Sequence, residues 1–279
     1  MSDIKIYVCC HKPFTVPQCD ILVPMQVGAA LAENHFNGFI YDDTLDNISQ
    51  KNKSYCELTA LYWMWKNTSH DYYGLFHYRR YLYPDLKEKL PYTLSNKKST
   101  EELEKLGYGN FKEFISQYDM IMPKGENMHV SVRNHYKNAP FHHIEDLELT
   151  EKIIDEYYPD YSKAKDEYLS QQSIYFGNIF IMKKDVFMDY CNFLFSVLKK
   201  FDSKSDTSSY GEQEKRVDGY LGERLLGIYY TKRKNELKTI EIPRVHFQSG
   251  SSYIKQKALN TILPPGSEIR AKFKKIKNG

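Results

Sequence analysis

Cysteine is scarce and odd in number: five residues, Cys9, Cys10, Cys19, Cys56 and Cys191, in a chain of 279. None belongs to a C-x-x-C pair. The spacing therefore supports neither a zinc site nor a disulfide framework, and reduced thiols in a cytosolic protein are the plain expectation. No run of about 18 apolar residues occurs, which excludes a membrane-crossing helix. The opening Met1-Ser2-Asp3-Ile4-Lys5 has no signal-peptide architecture and runs straight into a strand-like segment. Neither G-x-G-x-x-G nor the P-loop pattern is present, which argues against a dinucleotide dehydrogenase and a P-loop kinase. No internal repeat is visible.

Excess charge is also small. The 39 basic and 36 acidic residues leave +3. From Glu268 onward Arg270, Lys272, Lys274, Lys275 and Lys277 stand against Glu268 alone, so the tail carries +4 and the remainder −1. The body is therefore not a general nucleic-acid binder. A chain of this length can bury a sizeable core without a structural metal. It divides by sequence into a single domain, residues 1–263, and a basic tail, residues 264–279, set off by Pro264-Pro265-Gly266.

Aromatic residues are abundant, with 24 tyrosines, and the most informative stretch is Asp71 to Leu82. Tyr72 to Phe76 is aromatic and apolar, as expected for a buried strand. It ends in His77, Arg79 and Arg80. A buried strand with this tip delivers positive charge to the carboxyl edge of a sheet, where open α/β sheets bind ligands. Guanidinium forks suit phosphate oxygens, so Arg79 and Arg80, with His77, are candidate diphosphate contacts. The alternative for each arginine is a surface carboxylate partner or a tyrosine ring.

Ile4 to Cys10 reads as the first strand, stopped at His11-Lys12-Pro13. His11 and Lys12 are candidate ligand contacts, because α/β proteins place contacts in the turn after a first strand. Pro24 is expected to open a helix reaching Phe36, and Gly38 to Tyr41 a second strand. The loop Asp42 to Ser49 is dense in carboxylates and amides. Asp43, Asp46 and Asn47 could hold a ribose or base, and Asp42, Asp43 or Asp46 a metal ion; turn formation alone accounts for the same residues.

Ser54-Tyr55-Cys56-Glu57 fits a capping box on an amphipathic helix over Lys53 to Asn67, which favours Glu57 as a cap over the alternative of a catalytic acid. Tyr118 to Met122 is a further strand. His129, His135, His142 and His143 crowd one loop-like segment without the H-x-x-x-H spacing of a zinc enzyme, so an acceptor-binding or lid role suits it better. Thr150 and Asp185 are expected as helix caps. Ser173 to Met182 reads as a second buried strand. Gly177 and Asn178 interrupt it, and a glycine there marks a bulge or a close backbone approach. Arg216 to Leu225 leads into the last substantial helix, and Leu237 to Ile242 is a final strand. Strands alternating with helices predict a three-layer α/β domain.

In combination, several of these segments resemble a family of bacterial capsular and exopolysaccharide glycosyltransferases, formerly known only as a domain of unknown function. The carriers are Ile6 to Pro13, Asp46 to Ser49, Tyr55 to Ala60, Gly74 to Tyr81, Gly177 to Met182 and Gly219 to Leu225. The resemblance spans about positions 4 to 245, and only the His-Tyr-Arg-Arg strand is specific by itself. It implies a GT-A-like (Rossmann-related) nucleotide-sugar-binding fold with a mostly parallel central sheet. It also implies hexosyl transfer from a UDP-sugar, with galactose or galactofuranose leading, to a lipid-linked glycan in capsule, exopolysaccharide or O-antigen synthesis. The place of work would be the cytoplasmic face of the plasma membrane.

GT-A enzymes carry an Asp-x-Asp on a metal at the end of the mid-domain strand; here His77-Tyr-Arg-Arg stands in its place. The expectation is that no metal is required, with manganese or magnesium left open by the acidic loop. Glu223, or Asp218, falls where a catalytic carboxylate would be sought, and Asn178 joins the donor-binding set with His11, Lys12, Asp43, Asp46, Asn47, His77, Arg79 and Arg80. A nucleotide-sugar hydrolase or phosphotransferase would use the same cleft. A carbohydrate-binding module accounts for the tyrosines but not for paired guanidinium groups. In the tail, Ile269, Phe273 and Ile276 form an apolar stripe among basic residues if helical, which suits an anionic membrane surface.

Overall fold

The computed structural model describes residues 2–95, 110–248 and 250–270. Its centre is a sheet in the order β3-β2-β1-β4-β10-β7-β11. β1 (Ile4–Cys10) lies parallel between β2 (Leu22–Gln26) and β4 (Tyr72–His77), and β2 is parallel to β3 (Ile40–Tyr41). β10 (Phe180–Lys183) runs antiparallel between β4 and β7 (Met120–Pro123), and β7 is parallel to β11 (Thr239–Ile242). A short side arm, β5 (Arg80–Leu82), β12 (Arg244–Phe247) and β6 (Tyr92–Ser95), leaves the tip of β4. The expected α/β class with a mostly parallel central sheet is what forms.

Alternation along β1 divides the core in two, because successive side chains point to opposite faces. Tyr7 and Cys9 join Leu61, Met64, Phe187 and Leu225 on one side. Ile6, Val8 and Cys10 join Phe76, Phe111 and Val245 on the other. The helices supplying these layers are α1 (Asn52–Tyr55), α2 (Leu58–Asn67), α3 (Phe111–Ile115), α4 (Val132–Lys137), α5 (Ile144–Tyr157), α6 (Ser162–Ser170), α7 (Lys184–Lys204), α8 (Val217–Arg233) and α9 (Gly250–Ile262).

Several local expectations are overturned. Pro24 lies inside β2, opposite Val8, rather than opening a helix. β3 pairs only Met25 and Gln26, so at Pro24 the strand has an open edge and the missing N–H costs no ladder bond there. The helix over Lys53 to Asn67 is broken at Cys56, whose φ is 51°. Ser54 and Glu57 therefore form no capping box: the Ser54 hydroxyl donates to Asp218 instead. Thr150 sits within α5, donating to the Asp146 carbonyl, and Lys183 precedes α7 with no side-chain cap from Asp185. The strand over Ser173 to Met182 is two pieces, β9 (Ser173–Ile174), antiparallel to β8 (Glu126–Asn127), and β10, separated at Gly177 (φ 100°) and Asn178 (φ 49°). Left-handed backbone of this kind suits glycine and asparagine.

The chain does not leave the body at Pro264. Leu263 is buried, and His129 Nε2 donates to Gly266 O at 2.9 Å. Arg270, expected among the outward basic residues, is 9% exposed and turned inward, donating to Asn260 Oδ1 at 2.8 Å and Leu263 O at 3.1 Å. Phe273, Ile276 and the four tail lysines lie outside the described residues.

Candidate functional site

The carboxyl ends of β1 and β4 open into a cleft of about 710 Å³. Cys9 and His11 come from β1 and its exit, and His77, Arg79 and Arg80 from the β4–β5 turn. Asn52, Lys53, Cys56 and Glu57 come from the α1–α2 break, and Arg216, Gly219, Tyr220 and Glu223 from the start of α8. Gly219 matters for the approach of α8, since a Cβ there would stand 3.0 Å from Cys56 Sγ.

Three guanidinium groups meet in this cleft. Among the described residues neither Arg79 nor Arg80 has an ion-pair partner, and Arg216 contacts Cys56 Sγ at 3.4 Å and Gln213 Oε1 at 3.4 Å but no carboxylate. The surface-carboxylate alternative is thus not what forms, although Arg79 does stand over the Tyr78 ring at 5.0 Å. Burial, then Arg80, His11 and Arg79, pushes the His77 imidazole down to about 2. Burial and then Lys12 and Arg79 also lower His11. Both rings are therefore neutral at physiological pH and supply hydrogen bonds rather than charge.

Two carboxylates face the arginines. The backbone N–H of Gly177 donates to Glu223 Oε1 at 2.8 Å, and Arg224 donates to Glu223 Oε2 at 2.7 Å. Arg224 is 2% exposed, so this is an internal anchor rather than a surface pair. Asn178 Nδ2 donates to Glu57 Oε1 at 2.9 Å and to Gly219 O at 3.2 Å. Burial raises the Glu57 carboxyl, with Glu223 adding to it and Arg80 opposing. Gly177 lies against the Arg80 guanidinium, and its φ of 100°, where a Cβ would stand only 3.2 Å from Ile179 Cδ1, is what calls for glycine there. Behind the loop, Arg244, 1% exposed, donates to Phe176 O at 3.1 Å.

The structure thus brings together His11, His77, Arg79, Arg80 and Glu223. Asn178 stands behind this group, as the residue that holds Glu57. Lys12 faces away, into a second cleft of about 870 Å³ lined by Phe14, Phe36, Phe39, Tyr78, Arg79 and Phe247 among others. That cleft is larger, and among the described residues its lining holds no carboxylate; its one imidazole, His35, is paired with Asp43.

Asp43, Asp46 and Asn47 line neither cleft. Asp43 pairs with His35 at 3.1 Å, Asp46 accepts from Tyr62 at 3.2 Å, and Asn47 folds onto its own loop carbonyls. Their neighbour Asp42 is fully buried, accepting from the N–H groups of Gly28 and Ala29, from Ser49 and from Thr59. The acidic loop follows β3 at the edge of the sheet, and these side chains bond the loop itself and its neighbours. Asp218 is 2% exposed, sits in the first turn of α8 against Ser54 of α1, and does not line the cleft. Its carboxyl is spent on Ser54 and pushed up to about 7 by burial and then by Asp202.

Glu57, Arg216 and Tyr220 were not singled out from the sequence as site residues. Glu57 imitates a cap, and nothing at Cys56 signals a positive φ. Tyr220 carries the histidine-rich segment to the rim, since His142 stacks on it at 4.0 Å. A divalent metal on an Asp-x-Asp does not fit this strand end, whose side chains are an imidazole and two guanidinium groups. Among the described residues no group of three or more His, Cys, Asp or Glu is placed to hold a metal ion.

The fold is similar to that of a solved bifunctional glycosyltransferase, WbbM, in its apo form. The two are 33% identical with a TM-score of 0.83 over 88% of this chain. The match spans 46% of that protein, so the chain corresponds to a little under half of its length. No curated protein matches. The order of the central sheet and this likeness make the domain GT-A-like. Residues 5–235 match the family described as Domain of unknown function (DUF4422), and the chain belongs to that family.

Proposed function

We propose that this chain is a glycosyltransferase domain that moves a hexosyl group from a UDP-sugar to a lipid-linked glycan. Galactose or galactofuranose is the leading donor sugar, and capsule, exopolysaccharide or O-antigen synthesis the setting. The observation that carries the reading is the cleft itself: three guanidinium groups with no carboxylate partner among the described residues, opposite two anchored carboxylates. Neutral sugars alone do not call for that much positive charge, whereas a leaving diphosphate does. WbbM, a bifunctional glycosyltransferase, supplies the analogy.

In this reading Arg79, Arg80 and Arg216 hold the diphosphate, and the neutral rings of His11 and His77 add hydrogen bonds to its oxygens. Glu223 takes the proton of the attacking acceptor hydroxyl. As the new bond forms at the anomeric carbon, the bond from that carbon to the diphosphate oxygen breaks, and its electron pair leaves with the nucleotide. Glu57, held by Asn178, orients sugar hydroxyls. The arginines do the charge neutralisation that a metal performs elsewhere, so no divalent cation is required. The place of work is the cytoplasmic leaflet, where the acceptor's lipid would be anchored.

A screen of nucleotide-sugars with released nucleotide as readout tests this. Release that grows on adding a lipid-linked acceptor supports transfer; equal release without acceptor would make the domain a hydrolase. Failure to bind any nucleoside diphosphate in calorimetry would end the transferase reading.

A further inference from the structure

The helix α9 has the wrong outside for a surface helix. Its inner side is tied down: Leu263 is buried just past its end, and Asn260 accepts from Gln256 at 3.0 Å and from Arg270 at 2.8 Å. With these contacts fixing which side faces the body, the outward side is fixed too. That side carries Ile254, 68% exposed, and Ile262, 73% exposed, with Ala258 between them. The three stand at i, i+4 and i+8, one row on a helix of about 100° per residue. Ile269, 64% exposed, follows on the next turn of chain. Exposed apolar residues scattered singly need no explanation, but a row does.

Along α9 itself the charge has one sign, and beyond it, up to Arg270, Glu268, next to Ile269, is the one carboxylate among the described residues. Lys255 and Lys257 are exposed and flank the row on opposite sides, and α9 contains no carboxylate. The sequence beyond Arg270 adds Lys272, Lys274, Lys275 and Lys277 with no acidic residue. An apolar row edged by lysines matches the boundary between headgroups and acyl chains in an anionic bilayer.

We propose that the outward face of α9, with Ile269, is a docking surface for an anionic lipid bilayer. It binds in the plane of the surface, by insertion of isoleucine side chains and attraction of flanking lysines to lipid phosphates. Because Ser252 on α9 also lines the larger cleft, docking brings that cleft's rim close to the membrane. The lipid-linked acceptor of the preceding section gives the docking a purpose, but the surface stands on the row and its charge alone.

The test uses the full chain, sedimented with vesicles of mixed phosphatidylcholine and phosphatidylglycerol and with vesicles of phosphatidylcholine alone. The intact protein partitions onto the mixed vesicles at low salt and not onto the neutral ones. Ile254→Ser combined with Ile262→Ser lowers partitioning by about tenfold or more, with unchanged thermal unfolding because both positions are exposed. Equal partitioning of this variant would overturn the proposal and leave the attraction to the distal lysines. Equal binding to neutral vesicles, or none to either, would also overturn it. So would a lipid-free dimer that the same substitutions dissociate, since the face would then join two copies. Calorimetry with a nucleoside diphosphate on the same samples reports the transferase reading separately, so the two can fail independently.

Discussion

Asn178 and Glu57, 121 residues apart in sequence, meet through a 2.9 Å hydrogen bond from the asparagine amide to Oε1 of the carboxylate. Its neighbour Gly177 does the same for Glu223 through the backbone. The pair gives the first prediction. Asn178→Asp replaces the donor by a second carboxylate against Glu57. Donor turnover should fall at least tenfold, with Asn178→Ser retaining more, as measured by steady-state kinetics.

Arg79→Ala and Arg80→Ala should each weaken nucleoside-diphosphate binding by roughly ten- to a hundredfold, the range of a lost charge-assisted hydrogen bond of about 1.5–3 kcal/mol. Arg80 is the half-buried one of the two and should show the larger effect. Unchanged affinity in both variants by calorimetry would remove the arginines from the site.

Glu223→Gln keeps the acceptor oxygen for the Gly177 N–H but removes the charge. Turnover should drop on the order of a hundredfold with the donor KM nearly unchanged, because the loss sits in the transition state. Arg224 then lacks its counter-charge. The expected stability loss is roughly 2 kcal/mol, below that of a fully buried pair because Glu223 is 19% exposed. Thermal unfolding separates this loss from the kinetic one.

Asp218 titrates in the opposite sense from a salt-bridged carboxylate. Its folded value, raised to about 7, exceeds that of an unfolded aspartate near ~3.9. The folded state therefore binds the extra proton, and this group's contribution to stability is intact below about pH 4 and lost as pH rises through 7. Asp218→Asn should flatten that part of the stability profile between pH 4 and 8 in thermal melts. Its turnover should stay within a few-fold of the parent, because Asp218 is outside the cleft. A loss as large as that of Glu223→Gln would return Asp218 to the catalytic machinery.

Activity should survive a chelator such as EDTA, and added manganese should not raise it more than about twofold. Abolition with rescue by manganese or magnesium would show that the arginines do not replace a cation.

The sequence announced what depends on runs and alternation. Tyr72 to Phe76 had to be a buried strand, and its His77-Tyr-Arg-Arg tip had to reach the edge of the sheet. It could not announce what depends on a single backbone angle. Ser54 and Glu57 have capping-box spacing, and only the positive φ at Cys56 sends one to Asp218 and the other into the cleft. In the acidic loop, identical carboxylates divide between a buried staple, Asp42, held by Gly28, Ala29, Ser49 and Thr59, and outer contacts, Asp43 with His35 and Asp46 with Tyr62, a division no local sequence pattern signals. Pro24 carries no such signal, because a proline suits a helix start and equally a strand position that β3 leaves unpaired.

Arg244, Glu223 and Glu57 all fasten to consecutive residues: Phe176 by its carbonyl, Gly177 by its N–H and Asn178 by its amide. One tripeptide is therefore the common fulcrum for the side arm of the sheet, the start of α8 and the α1–α2 break. Glu223 hangs on the main chain there, so no side-chain substitution in the tripeptide removes its bond, whereas Glu57 hangs on the Asn178 side chain and moves with that residue. A new spacing between the two carboxylates is therefore reached at Asn178 or on the helices, with Phe176 and Gly177 left as they are.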